Sequence, residues 1–163
     1  MKELTEQEIR GAFVNCSKGE AKRLNVPRGL AEYPWDDLDF LGWRDPQAPD
    51  RTYLVAETED GLRDLTMRLS HATSWQTKRT MCSICLTTHT GGVSLMVAPK
   101  TGKAGKQGDS VGAYICSDLA CSLYARGKKD TDASARLRET LTVEEKIERT
   151  VGNVTAFLTK VQA

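Results

Sequence analysis

Four of the five cysteines in this chain fall in two tight pairs, Cys82 with Cys85 and Cys116 with Cys121. Two residues between thiols let a turn aim both sulfurs at one point, and two such turns complete the tetrahedral all-sulfur shell that zinc accepts. The same spacing also admits two disulfides, or four unrelated core thiols. The first residues, Met1-Lys2-Glu3-Leu4-Thr5-Glu6, carry no apolar signal-peptide core. A cytoplasmic, reducing location is therefore expected, where paired cysteines bind metal more often than they form disulfides. The expectation is one structural Zn2+ held by Cys82, Cys85, Cys116 and Cys121. Cys16, the fifth, is expected to be a small buried hydrophobe on a helix.

The 163 residues suit one ordinary domain, and 23 basic against 22 acidic residues leave a net charge of +1. No stretch approaches the roughly 20 apolar residues that span a bilayer, so no membrane role is expected. Near-neutral charge argues against a general nucleic-acid binder, but local patches survive the average. Lys78 and Arg79 precede the first cysteine pair, Lys100, Lys103 and Lys106 lie between the pairs, and Arg126, Lys128 and Lys129 follow the second. They read either as solvated loop charge or as a face for an acidic partner or an RNA backbone.

Thr5 and Glu8 form a capping-box pattern, and Ile9, Ala12, Phe13 and Cys16 recur at helical spacing, predicting a helix over residues 6–14. Ser17 and Glu20 predict a second short helix, ended by Asn25-Val26-Pro27. Tyr33, Trp35, Phe40 and Trp43 are interspersed with Asp36, Asp37, Asp39 and Asp45. These rings read as a plug on a small core, or else as an exposed hot spot with an acidic rim. Residues 39–43 read as a compact connector. Strands are predicted over 51–56 and 62–69, joined through Asp60-Gly61. Residues 71–80, with Trp75, read as a polar connection.

Residues 88–92 read as a turn, 93–98 and 110–115 as strands, and 99–109 as a mobile Lys/Gly-rich loop. Residues 118–125 have helical spacing and end near Gly127. Knuckle, hairpin, then a helix carrying the last ligand is the order of a treble-clef zinc site, in which zinc-binding free energy is folding free energy. Residues 128–138 read as a polar linker. Thr142 and Glu145 open a long C-terminal helix with a narrow stripe of Ile147, Val151, Val154, Leu158 and Val161. That stripe suits packing on the same chain or a dimer seam. The fold class is α+β: N-terminal helices, a small antiparallel sheet, a treble-clef zinc finger and a long C-terminal helix. The expected division is a single domain over 1–127 containing the finger at 78–127, a linker at 128–140 and the helix at 141–163.

A closed four-cysteine site is structural, since catalytic zinc keeps an open position. His89 is the rival ligand; it reads otherwise as a turn residue or a donor to the site. Metal-dependent nucleases built on treble clefs place a His at the end of the hairpin, where this chain has Tyr114-Ile115-Cys116. No nucleophile-elbow, dinucleotide or phosphate-loop pattern is present. No catalytic residue, small-molecule substrate or enzymatic activity is expected.

The words Met81-Cys82-Ser83-Ile84-Cys85-Leu86-Thr87-Thr88-His89 and Ile115-Cys116-Ser117-Asp118-Leu119-Ala120-Cys121 resemble a known family. So do Asn15-Cys16-Ser17-Lys18-Gly19-Glu20 and the stretch from Trp35 to Pro46. The chain is similar to the elongation factor G-binding proteins with a C-terminal treble-clef zinc finger, the domain shared with FusB-type fusidic acid resistance proteins. The resemblance implies a non-enzymatic protein that binds elongation factor G through the finger, and release of that factor from ribosomes on which fusidic acid has trapped it. It places the four cysteines at the ligand positions. Lys78, Arg79, Met81, Lys100, Lys103 and Lys106 are the candidate partner contacts. The chain is expected to lack the resistance proteins' N-terminal helical bundle. The alternative function is an RNA- or ribosome-binding zinc finger.

Overall fold

The computed structural model describes residues 1–70, 79–131 and 139–163. The fold is α+β. Strands β1 (Phe40–Arg44), β2 (Arg51–Thr58), β3 (Gly61–Leu69), β6 (Val93–Pro99) and β7 (Ser110–Cys116) form one antiparallel sheet in the order β1-β2-β3-β6-β7. Between β3 and β6 in the chain, β4 (Arg79–Met81) pairs with β5 (Thr88–Thr90).

Alternation along β2 sets up two cores. Successive side chains point to opposite faces of a strand. Leu54 and Ala56 join one buried cluster, whereas Tyr53 and Val55 join another. The second cluster is closed by the N-terminal helices α1 (Glu6–Gly11) and α2 (Lys18–Arg23), which contribute Ile9 and Ala21, and by Leu4, Leu24, Trp35 and Leu38. The first is closed by the four paired cysteines and by α5 (Val143–Gln162), through Val154, Phe157, Leu158 and Val161. Both N-terminal helices open on the capping boxes read from the sequence, with Thr5 bonded to Glu8 and Ser17 to Glu20. Thr142 and Glu145 do the same for α5.

Trp35, Phe40 and Trp43 are buried and Tyr33 is partly so; these rings plug the core and do not form an exposed hot spot. Residues 40–43 are not a connector, because they pair in full register with β2 as the edge strand β1. The predicted first helix runs three residues too long. Residues 12–14 leave it to bond the backbone of Asp64 on β3, Val14 N–H donating to the Asp64 carbonyl at 3.0 Å and Asp64 N–H to that of Ala12 at 3.0 Å. Cys16 therefore lies in the turn between α1 and α2, half-buried and not on a helix. Within the predicted turn at 88–92, residues Thr88–Thr90 form β5.

Residues 99–109 hold a short helix, α3 (Gly102–Lys106), in place of the mobile loop expected. Gly102 takes φ +67°, and a Cβ on Gly105 would sit 1.8 Å from the Lys100 carbonyl oxygen, so the chain coils tightly with no apolar side chain larger than Ala104 in the helix. The helix expected over 118–125 is confined to α4 (Cys121–Ala125), because Leu119 adopts φ +58°. The α5 stripe is also wider than a heptad seam. Thr150, Val154, Phe157, Leu158 and Val161 are buried in the chain's own core, whereas Val151 is exposed and Ile147 only partly covered. Among the described residues no helix is long and apolar enough to cross a membrane. The predicted connection around His71 and Trp75, most of the linker, and Lys78 fall outside the described residues.

Candidate metal centre and charged surface

The first cysteine pair occupies the turn that follows β4. Cys82 N–H donates to the Thr87 carbonyl at 2.9 Å, and Leu86 N–H closes back on the Cys82 carbonyl at 3.0 Å. Ser83 N–H donates to the Tyr114 carbonyl at 2.6 Å, tying the knuckle to β7. Cys116 ends β7, and Cys121 begins α4. Between them Leu119 N–H donates to the Cys116 carbonyl at 2.8 Å. Leu86 and Leu119 both stand at φ +58°, a left-handed conformation that costs a side-chain-bearing residue about 1–2 kcal/mol. Each sits in one of the two cysteine turns, so the strain is concentrated where the sulfurs are aimed.

The four sulfurs converge. All lie within 4.8 Å of one another and all four residues are buried. Cys82 and Cys121 sulfurs are 3.7 Å apart, and those of Cys85 and Cys116 are 3.6 Å apart. A disulfide needs about 2.05 Å. Sulfurs placed about 2.3 Å from a central zinc stand about 3.8 Å from each other in a tetrahedron. The observed spacing matches the metal site and not the disulfides. Burial, then the neighbouring sulfurs, push the Cys121 thiol well above its ordinary value. Thiolates crowded in this way need a divalent cation among them. The donor set is soft and closed, which suits one structural zinc.

Secondary contacts brace this centre. Ile84 N–H donates to Cys82 Sγ at 3.3 Å. From α5, Asn153 Nδ2 donates to the Ile84 carbonyl at 2.9 Å and an Arg149 nitrogen to the Cys85 carbonyl at 3.1 Å. Glu139 pairs with the same Arg149 at 2.9 Å. His89 is buried, and its Nε2 lies 3.3 Å from Cys116 Sγ. It stands beside the four-sulfur set as a neighbour of one member.

The basic residues near the cysteines divide into different groups. Arg126 grips Asp39 with two nitrogens, at 2.6 and 2.8 Å, in a largely buried pair that raises the guanidinium pKa. Lys128 pairs with Asp37 at 2.6 Å and Lys129 with Asp118 at 2.8 Å. The positive charge that follows the second cysteine pair is thus matched by the aspartates of residues 37–39 and by Asp118. Arg79 and Met81 lie on β4, at the cysteine end, with Met81 exposed. Lys100, Lys103 and Lys106 lie at the opposite end of the β6–β7 hairpin. Six strand steps along β7 separate Ser110 at that tip from Cys116, a span of about 20 Å at strand rise. The structure thus separates the described candidate contacts to opposite ends of the hairpin. Lys100, Lys103 and Lys106 form no ion pair among the described residues, and Lys103 and Lys106 are exposed.

Two features escaped the sequence. The Asp39–Arg126 pair joins residues 87 apart, which no local pattern shows. Asp64 is fully buried with neither carboxylate oxygen hydrogen-bonded, and burial pushes its pKa to about 8. It lies on β3 opposite Val55, beneath the bridge to residues 12–14.

The family model described as FBP C-terminal treble-clef zinc-finger matches residues 8–161, nearly the whole chain. No curated protein and no solved structure matches it significantly.

Proposed function

This chain belongs to the FBP C-terminal treble-clef zinc-finger family, and from that premise we propose that it is a non-enzymatic, cytoplasmic zinc protein that binds elongation factor G. Cys82, Cys85, Cys116 and Cys121 are the ligands of its zinc. The observation that carries the reading is the family match across residues 8–161, joined to a buried four-sulfur cluster of zinc-site dimensions. A closed set of four thiolates leaves zinc no position for substrate or water, so the metal supplies structure and the surface supplies recognition. The same binding would release the factor from ribosomes on which fusidic acid has trapped it.

The partner contacts proposed are Lys100, Lys103 and Lys106 at the hairpin tip, of which Lys103 and Lys106 are exposed, and Arg79 and Met81 at the other end, together with Lys78. Since about 20 Å separates Cys116 from the tip, a partner touching both groups must span the length of the hairpin. The unpaired tip lysines also favour a second reading, an RNA or ribosomal surface. Size-exclusion chromatography with purified elongation factor G tests the first reading. An equimolar complex at micromolar concentrations is expected; separate elution of the two proteins overturns it. If RNA binds in its stead, with an affinity that falls steeply with salt, the second reading replaces it.

A further inference from the structure

His89 is a buried polar side chain beside the four-sulfur centre. Its Nε2 faces Cys116 Sγ at 3.3 Å. A metal-bound thiolate offers lone pairs and no hydrogen, so the ring nitrogen is assigned as the donor and the hydrogen is placed on Nε2. Described neighbours help to place the ring. The β4–β5 register pairs His89 with Thr80. Tyr124 meets the imidazole edge-on, with centroids 4.7 Å apart and planes at 86°. A Cβ on Gly92 would stand 2.7 Å from Nδ1 and 2.9 Å from the ring's Cγ, so residue 92 has to be glycine for the imidazole to lie where it does. Tyr124 is itself fixed, its hydroxyl donating to Asp118 at 2.8 Å.

We propose that His89 is a positioning residue of the zinc centre: its Nε2–H hydrogen-bonds the Cys116 thiolate, draws electron density from that sulfur and holds it on the metal, and Gly92 makes room for the ring. Partners of this kind orient ligands and tune the metal, and their loss typically costs about 10–100-fold in metal affinity. Hydrogen bonds to sulfur act in the same way on the potentials of iron–sulfur clusters. The Gly91-Gly92 pair thus has two separate tasks. Gly91, at φ +73°, makes the turn, and Gly92 clears the imidazole.

This inference rests on the four cysteines binding one zinc, and the test separates the two claims. The full chain is loaded with Co2+, whose sulfur-to-cobalt charge-transfer band reports thiolate ligation, and the metal is then withdrawn with a chelator. If the unaltered protein takes up no Co2+ with such a band, the zinc reading falls and the role of His89 with it. If it does, His89→Phe is expected to move the band to longer wavelength and to speed release about tenfold or more. His89→Gln, which retains an N–H donor, is expected to keep both values near those of the unaltered protein. Gly92→Ala retains the imidazole but displaces it, and should follow His89→Phe even where His89→Phe does not fold. Failure of His89→Phe to load, while His89→Gln loads, also supports the donor role. An unshifted band and unchanged release in His89→Phe or Gly92→Ala would overturn it, as would His89→Gln behaving like His89→Phe.

Discussion

The two ends of the β6–β7 hairpin are built on opposite terms. At the cysteine end, charge is matched and, for Arg126 and Asp39, largely buried. Four sulfurs converge, His89 faces one of them, and Arg126, Lys128 and Lys129 each meet an aspartate. At the tip, three lysines stand without ion pairs among the described residues, on a coil held by backbone contacts. Thr101 N–H donates to the Val161 carbonyl at 3.0 Å, and Lys100 N–H to the Asp109 carbonyl at 2.9 Å. Helix α5 ties both ends, meeting the knuckle through Arg149 and Asn153 and the tip through Val161. Matched buried charge and a metal supply stability, whereas unmatched exposed charge is what a partner can use. Mutations at the two ends should therefore separate folding from binding.

The largest effect should come from the metal. Removing zinc with a chelator, or replacing Cys116 with Ser, should unfold the cysteine end, since structural zinc contributes on the order of 10 kcal/mol to folding in small zinc units. Thermal melting followed by circular dichroism checks this; an unchanged melt after chelation would contradict a structural site. The matching substitutions at the tip, Lys103→Glu with Lys106→Glu, should leave the melt where it was, because exposed charges add little to stability.

Arg126→Ala comes next. It strands Asp39 in a largely buried site, and breaking one side of such a pair costs about 3–5 kcal/mol. Urea denaturation of the two single variants and the double variant measures the coupling; additive effects would show that the pair contributes nothing as a pair.

Asp64 gives a smaller effect with a defined sign. In the folded protein its carboxyl titrates near pH 8, well above the ordinary value of 3.8. Between those values the native state holds a proton that the unfolded chain has released. Stability should therefore fall as pH rises through this window. Asp64→Asn stays neutral without a bound proton, so it should raise stability by roughly a few kcal/mol at pH 8, its own buried amide offsetting part of the gain. Near pH 4 the gain should vanish. Melting temperatures across that range decide it, and a gain independent of pH would remove Asp64 as its cause.

The smallest effect lies on the exposed side of α5, away from both ends. A Cβ on Gly152 meets nothing within 4 Å, so Gly152→Ala should stabilise the helix by about 0.5–1 kcal/mol. A loss of stability there would mean that α5 is held differently.

What the sequence disclosed was whatever depends on neighbours. The capping boxes, the alternation in β2 and β6 and the spacing of the cysteine pairs are local, and they led to elements and to a metal site of the right kind. The misreadings came from distant parts of the chain. Residues 40–43 became a strand because β2 offered an edge. Residues 12–14 left their helix for the backbone of Asp64. The lysines between the cysteine pairs were close to them in sequence, and a hairpin seven residues long carried them to its far end. The basic run after Cys121 looked available until the aspartates of residues 37–39 met it. In each case the deciding partner lay on another element, beyond the reach of spacing rules.

The claim that recognition sits apart from the metal is tested most directly by calorimetric titration of elongation factor G with this protein and with its Lys100→Glu, Lys103→Glu, Lys106→Glu triple variant. One-to-one binding by the unaltered chain is expected, weakened about tenfold or more in the variant, a change of about 1.4 kcal/mol, with an unchanged melt. Equal binding by both chains, or no binding by either, would contradict it.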